Sequence, residues 1–175
     1  MADASVRPAR AADVAQIARI QIDTWRSAYS GILPAEALDQ VTSELAGAQW
    51  SAAVNEAPSP RHRVLVAQER DSIVGFVATE PDPEDPGTAM IATMLVEPRW
   101  GRRGHGSRLL AAVVDLARHD GTRRLTTWVI ERDQASVGFY ESAGWSRDGW
   151  ARTLDAADTP VREVRLHTAL DEEAA

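Results

Sequence analysis

The chain of 175 residues carries 26 acidic and 19 basic side chains, has a formal net charge of −7, and contains no cysteine. This acidic balance disfavours a general nucleic-acid or membrane-surface partner, and the lack of cysteine excludes disulfides, thiolate zinc sites and a cysteine nucleophile. The sequence shows no signal-peptide pattern and no apolar run of about 20 residues, so we expect a cytoplasmic globular protein.

The first third of the chain predicts one strand followed by helices. Residues 5–10 could form a short strand, and residues 11–29 place apolar side chains at helical spacing up to a Ser-Gly stop. Pro34 suits the start of a second helix, because proline is tolerated at the first helical position. A third helical stretch follows, and residues 55–60, which include two prolines, indicate a loop.

The middle of the chain predicts a β-hairpin and one further strand. Residues 62–68 and 73–79 have the composition of strands and are joined by a polar turn at 69–72. Residues 80–87 are expected to form a loop, because their prolines forbid a regular ladder. Residues 88–96 are expected to return as a strand.

The last third alternates strands with helices. The expected elements are a helix over 107–119 that ends at Gly121, a strand over 125–130, a helix over 134–143, closing strands over 147–154 and 161–168, and a frayed acidic tail over 171–175. All of 1–175 is expected to be one domain, with its core between about 5 and 168. Helices at the front, a central hairpin and strand–helix alternation at the end predict a mixed α/β or α+β sheet.

Residues 101–106, Gly-Arg-Arg-Gly-His-Gly, form a basic glycine-rich turn between a strand and a helix. Unpaired N–H groups at a helix N-terminus bind anions, and glycine lets the backbone approach a phosphate closely. Arg102, Arg103 and Arg108 add positive charge, so a phosphate group is the expected ligand. The chain has no lysine for a P-loop, and Leu109 replaces the third glycine of the dinucleotide fingerprint. A flexible turn with incidental arginines is the alternative that these residues leave open.

A second segment, WVIERDQASVGFYESAGW at residues 128–145, combines a strand, a polar turn and a short helix that carries Phe139-Tyr140. Together with Val-Glu-Pro at 96–98 and the glycine-rich turn, it resembles the GCN5-related N-acetyltransferase (GNAT) family, over residues 6–166. The resemblance implies a mixed central sheet of about six to seven strands, with helices on both faces and the acyl-CoA site at splayed strands. It also implies acetyl-CoA as co-substrate and direct transfer of its acetyl group to a primary amine in a ternary complex.

The resemblance also carries residue roles to matching positions. The family's pyrophosphate loop corresponds to Arg102, Arg103, Gly104, His105, Gly106 and Ser107, and the strand that holds the pantetheine arm corresponds to Met94, Leu95 and Val96. Tyr140 matches the tyrosine that the family places near the thioester sulfur. Two positions depart from the family pattern: Gly101 replaces Gln or Arg, and Asp133, expected on the pantetheine, replaces Asn.

Acetyl transfer from a thioester needs a neutral amine held in line, stabilisation of the carbonyl oxygen and a proton for the leaving thiolate. A backbone N–H at Leu95 or Val96 can stabilise the oxyanion, and the phenol of Tyr140 can donate the proton as general acid. No metal is expected, because the four histidines are scattered without paired ligand spacing.

No motif marks the general base. The strand over 88–96 contains no carboxylate, so Glu80, at the end of the preceding strand, is the best candidate. A water-relayed base or an acceptor amine that is already neutral could replace it, and Glu80 could instead be a solvated loop carboxylate. His105, which lies between two glycines, is interpreted as a spacer of the phosphate loop rather than a base.

Trp25 and Tyr29, at the end of the first helix, and Trp50 are candidates to line the acceptor pocket, and core packing is the favoured interpretation of Trp50. The acidic residues 80–85 would suit a cationic acceptor, which could be a small molecule or a protein amine. The C-terminal strands could support a homodimer. A non-catalytic acyl-CoA-binding module of the same fold is the alternative function, and Tyr140 favours the enzyme.

Overall fold

A computed structural model describes residues 3–170, which form a seven-stranded sheet in the order β1-β2-β3-β4-β5-β7-β6. The strands are β1 (Ala4–Pro8), β2 (Arg63–Glu69), β3 (Ser72–Pro81), β4 (Thr88–Val96), β5 (Arg124–Ile130), β6 (Ser146–Ala156) and β7 (Thr159–Ala169). The helices are α1 (Val14–Tyr29), α2 (Ala35–Asp39), α3 (Ser43–Asn55), α4 (His105–His119) and α5 (Gln134–Ser142). None of these helices combines the length and the apolar character that crossing a membrane requires.

The sheet is mixed and opens at its centre. Neighbouring strands are antiparallel except β4 and β5, which run parallel. The β4–β5 ladder covers only residues 88–91 against 124–127, although both strands continue beyond it. The Thr127 hydroxyl donates to the Ile91 carbonyl at 3.0 Å at the end of this ladder, and the strands separate from there on. The expected mixed sheet is confirmed.

Apolar cores lie on both faces of the sheet. Val66 of β2 packs with Ile17 of α1, whereas its neighbour Leu65 belongs to the cluster that contains Leu109 of α4. Successive residues of a strand point to opposite faces, so the α1–α3 pair covers one face and α4 with α5 covers the other. Helices on both faces, as expected, are therefore confirmed.

The loop expected over residues 80–87 is wrong at its start, because β3 continues through Glu80 and Pro81. These two residues pair with Met90 and Ala89 of β4 after a register shift at Ala78 and Thr79. Proline is tolerated here because Pro81 is the last residue of the strand, where one missing N–H donor removes little from the ladder. The remaining prolines lie in the turn that follows.

Three helix starts also differ from expectation. The helix expected from residue 11 opens with a 3₁₀ turn over Ala11–Asp13, and α1 itself begins at Val14. The other two differences concern the capping residue. The helix expected over 107–119 begins at His105, because Gly104 adopts a φ of +81° and serves as its N-cap. Pro34 is the extended residue before α2 rather than its first helical residue. The acidic tail expected over 171–175 lies outside the described residues.

Candidate active site

A cavity of about 300 Å³ lies where β4 and β5 separate. Its walls are residues 92–95 of β4 and 127–130 of β5, Trp25, Tyr29, Leu33 and Ala37 from the α1–α2 end, Ser136 and Tyr140 of α5, and residues 154–156, Val161 and Glu163 of the β6–β7 hairpin. The separated strands thus form one side of the cavity, while α1, α2 and the C-terminal hairpin form the other.

The β4 wall supplies backbone hydrogen-bonding groups. β4 remains paired with β3 as far as Val96, so the backbone groups on one of its edges are hydrogen-bonded. Among residues 3–170, the edge that faces β5 has no strand partner beyond Ile91. Met94 and Leu95, which the resemblance assigns to the pantetheine arm, line the cavity. Val96 instead lies behind the glycine-rich turn, with its Cγ2 3.9 Å from where a Cβ on Gly106 would be.

The glycine-rich turn caps α4 and leaves three backbone donors for a ligand. Gly104 has a φ of +81°, and the first helical bond runs from the Arg108 N–H to the Gly104 carbonyl. The N–H groups of His105, Gly106 and Ser107 therefore have no partner within the helix. Such a cluster at the positive end of a helix dipole is suited to a phosphate group.

The side chain of His105 anchors this turn instead of facing a ligand. It is only 2% exposed, and its Nε2 lies 2.7 Å from Oε2 of Glu69 on β2. Arg103 reaches the other Glu69 oxygen at 3.5 Å and stacks over the Trp100 ring. His105 can therefore contribute its backbone N–H to a ligand, which agrees with its interpretation as a spacer.

Tyr140 is a buried phenol at the cavity. It is 4% exposed and packs between the rings of Phe139 and Trp145. Burial raises the pKa of the Tyr140 phenol above its usual value, and a hydrogen bond with Thr127 opposes this rise. The phenol is therefore protonated at neutral pH and can donate a proton within the cavity.

A hydrogen bond joins the two sides of the site. The Tyr29 hydroxyl of α1 donates to Asp133 Oδ2 at 3.1 Å. Asp133 is also the N-cap of α5, where it accepts from the backbone N–H of Ser136 at 3.1 Å and from its hydroxyl at 2.6 Å. The structure thus gives Asp133 a helix-capping role that the sequence did not reveal, and it links the helix that carries Tyr140 to α1.

The three aromatic candidates for the acceptor pocket divide as the sequence suggests. Trp25 and Tyr29 line the cavity, with ring centroids 6.1 Å apart. Trp50 lies in the α1–α3 core, where its Nε1 donates to Gln21 at 2.8 Å and its ring packs edge-on against Phe76. The expected core position of Trp50 is confirmed.

Glu80 is not brought to the cavity. It pairs with Met90 in the part of the sheet where β4 and β5 are still joined. The neighbouring Asp82 and Asp85 accept backbone N–H groups of their own turn, so this acidic segment closes the β3–β4 connection and does not line the cavity. The strand pairing accounts for the difference, because it carries residues 80–85 away from the splayed end.

The carboxylates that do line the cavity, Asp155 and Glu163, were not singled out from the sequence. Glu163 reaches the site because β7 inserts between β5 and β6, which places it opposite Ile130. No local pattern marks that pairing. Within residues 3–170, no group of three or more His, Asp or Glu side chains is arranged to hold a metal ion.

Comparison with known proteins gives one consistent result. A model of the acetyltransferase (GNAT) family matches residues 18–145. The uncharacterized N-acetyltransferase YuaI of Bacillus subtilis is 30% identical over 166 residues, which cover 93% of this chain and 91% of that protein. A probable N-acetyltransferase of Mycobacterium tuberculosis is 26% identical over 169 residues, covering 93% of this chain and 92% of the relative.

Solved structures share the fold at lower identity. The PaiA N-acetyltransferase of Thermoplasma acidophilum, crystallised in complex with coenzyme A, superposes with a TM-score of 0.77 at 14% identity and covers 95% of this chain and 98% of its own. YncA of Salmonella typhimurium, solved with its cofactor acetyl-CoA, gives a TM-score of 0.72 at 20% identity and covers 98% and 96% of the two chains.

Proposed function

The chain belongs to the acetyltransferase (GNAT) family, and on that premise we propose that it transfers the acetyl group of acetyl-CoA to a primary amine by direct attack within a ternary complex. The observation that carries this proposal is the cavity between β4 and β5, which brings a buried phenol and an unpaired strand edge together. Coenzyme A or acetyl-CoA is bound by the similar structures of PaiA and YncA, which supports the choice of co-substrate.

The residues of the α4 turn fit a pyrophosphate. The N–H groups of His105, Gly106 and Ser107 would bind its oxygens, and the exposed Arg102 and Arg103 would balance its charge. Gly106 also keeps the turn close to α5, since a Cβ there would lie 3.3 Å from the Phe139 ring. The pantetheine arm would follow β4 along Met94 and Leu95, so that the thioester reaches the cavity.

The reaction then depends mainly on position and on two polar groups. Holding the amine in line with the thioester carbonyl can lower the barrier by about 7–11 kcal/mol. A backbone N–H at Leu95 or Val96 would stabilise the oxyanion, and Tyr140 would protonate the departing thiolate. Asp133 would orient α5 and could accept a hydrogen bond from the pantetheine.

The proposal also includes the cellular compartment and the partners of the enzyme. The enzyme would act in the cytoplasm on a small amine or a protein amine. The net charge of −7 disfavours general binding to nucleic acid or to membranes. A homodimer through β6 and β7 remains a prediction, and the exposed Trp150 and Leu154 on the edge strand β6 favour it.

Release of the coenzyme A thiol in the presence of a panel of primary amines tests the proposal. An acetyltransferase releases thiol only when a suitable amine is present, and the acetylated amine appears in equal amount. If calorimetry shows that acetyl-CoA binds but no amine in the panel is acetylated, the alternative, a non-catalytic acyl-CoA-binding module, replaces the enzyme.

A further inference from the structure

The side of the cavity formed by α1, α2 and the β6–β7 hairpin, here called the acceptor side, carries acidic and aromatic side chains. Its two acidic side chains are Asp155 and Glu163, and among the described lining residues there is no arginine, lysine or histidine. Trp25 and Tyr29 provide aromatic surface beside them. An ammonium group gains from both features, since carboxylates attract it directly and aromatic faces attract cations.

Glu163 is the more enclosed of the two carboxylates. Its side chain is 12% exposed, whereas Asp155 lies on the exposed rim of the hairpin. On β7 it stands opposite Ile130 of β5, beyond the point where β5 has separated from β4. A carboxylate therefore lies where β4 and β5 have separated. Glu80 does not reach this part of the sheet.

Only one oxygen of Glu163 is engaged by the described part of the protein. Arg152 of β6 donates from Nε to Oε2 at 2.5 Å, and its guanidinium stacks on the Trp128 ring with its centre 4.3 Å from the ring centroid. Within residues 3–170, Oε1 receives no hydrogen bond. Arg152 thus fixes the carboxylate while Oε1 keeps its capacity to accept a proton or an N–H bond.

The charge of Glu163 also affects the pKa of Tyr29, one of the two aromatic residues that line the cavity. The pKa of Tyr29 is raised first by burial, then by Asp133, and further by the charge of Glu163. The carboxylate, the Tyr29 phenol and the cavity therefore share one electrostatic environment, although Glu163 and Tyr29 are 134 positions apart in the sequence.

From these contacts we infer that Glu163 binds the ammonium form of the acceptor and removes its proton, and that the acceptor is a cationic primary amine with an apolar or aromatic body. This inference rests on the acetyl transfer proposed above. Arg152 is already paired with Glu163 and does not line the cavity, so a second anionic group on the acceptor would face the carboxylate of Asp155 without a lining cation beside it. Amino acids with a free carboxylate are therefore disfavoured.

Two protons leave the acceptor nitrogen during the reaction. The ammonium gives the first to Glu163, which passes it to solvent, and the neutral nitrogen then attacks the thioester carbonyl. A C–N bond forms and the C–S bond breaks. The thiolate takes the phenol proton of Tyr140, and the second proton lost by the nitrogen restores that phenol. The products are the acetamide, the coenzyme A thiol and one released proton.

Three probes with the same aromatic body test the inference: 2-phenylethylamine, its less basic analogue 2,2-difluoro-2-phenylethylamine, and phenylalanine. The parent protein should acetylate 2-phenylethylamine with a kcat/KM at least about 100-fold above that for phenylalanine. Glu163→Gln should lower kcat/KM for 2-phenylethylamine at neutral pH by about 100-fold, the scale of general base catalysis. Its effect on the difluoro analogue should be at least about tenfold smaller, because a much larger fraction of that less basic amine is already neutral and needs no base.

The matched control is Glu141→Gln, which removes an exposed carboxylate of α5 outside the cavity and should leave all rates unchanged. Equal acetyl-CoA affinity of the Glu163→Gln variant and the parent, measured by calorimetry, shows that the fold is intact. Equal losses for both phenylethylamines, or a preference for phenylalanine, would overturn the inference alone. If the parent bound acetyl-CoA and acetylated no amine, the proposed function itself would fail.

Discussion

The hydroxyl of Tyr29 donates a 3.1 Å hydrogen bond to Asp133, which joins the end of α1 to the N-cap of α5. A second bond runs in parallel, from the Arg132 guanidinium to the Gly31 carbonyl at 3.3 Å. These contacts connect segments that are about 100 positions apart, and they hold the acceptor wall against the helix that carries Tyr140. In the proposed reaction, the distance between the acceptor and Tyr140 would therefore depend on this connection.

Replacing Tyr29 with phenylalanine keeps the aromatic wall and removes this donor. The free energy of unfolding should fall by about 1.5–3 kcal/mol, the usual value of a hydrogen bond to a charged group. The variant should show a lower kcat, whereas its affinity for acetyl-CoA should change little, because the substitution leaves the pyrophosphate turn intact. Denaturant unfolding and steady-state kinetics measure the two effects, and an unchanged stability would show that the 3.1 Å contact does not persist in solution.

Two glycines with positive φ allow a matched test of the pyrophosphate turn. Gly104 and Gly121 have φ values of +81° and +74°, and apart from the adjoining residues no atom of the described residues lies closer than 3.5 Å to a new Cβ at either position. Alanine should therefore cost about 1 kcal/mol of stability at either site, through backbone strain alone. Only Gly104→Ala should also weaken acetyl-CoA binding, as measured by calorimetry. Equal affinities of the two variants would place the pyrophosphate elsewhere.

The two tyrosines of the chain predict a loss of stability at high pH. Burial is the first cause that raises the pKa of both Tyr29 and Tyr140, whereas an unfolded tyrosine ionises near pH 10. Above that pH the unfolded chain releases protons that the folded protein retains, so the free energy of unfolding falls as pH rises. The fall should be smaller in Tyr140→Phe. Tyrosinate absorbance that appears near pH 10 while the protein is still folded would contradict this prediction.

Much of the sheet could be predicted because its signals are local. The composition of residues 88–96 and the turns on either side predict both ends of this strand, and β4 begins and ends at those residues. The start of the 80–87 loop was wrong, because proline at a strand end is compatible with pairing and the sequence does not show which partner is present. α4 begins two residues earlier than expected, because Gly104 serves as its N-cap.

The site was predictable only where a motif marks it. The glycine-rich turn and Phe139-Tyr140 are contiguous signals, and they led to the turn of α4 and the phenol at the cavity. Glu163 enters the site through the insertion of β7 between β5 and β6, which is a property of topology rather than of neighbouring residues. The burial of His105 against Glu69 was equally hidden, since the two residues lie on different elements.

The most direct test of the proposed chemistry is the turnover of Tyr140→Phe, measured beside its affinity for acetyl-CoA. The substitution keeps the ring that packs against Phe139 and Trp145 and removes only the proton donor. We expect kcat to fall by about 100-fold or more, while calorimetry gives an acetyl-CoA affinity close to that of the parent protein. A phenylalanine variant with near-parental kcat would contradict the proposed chemistry, because the thiolate would then leave without a proton from Tyr140.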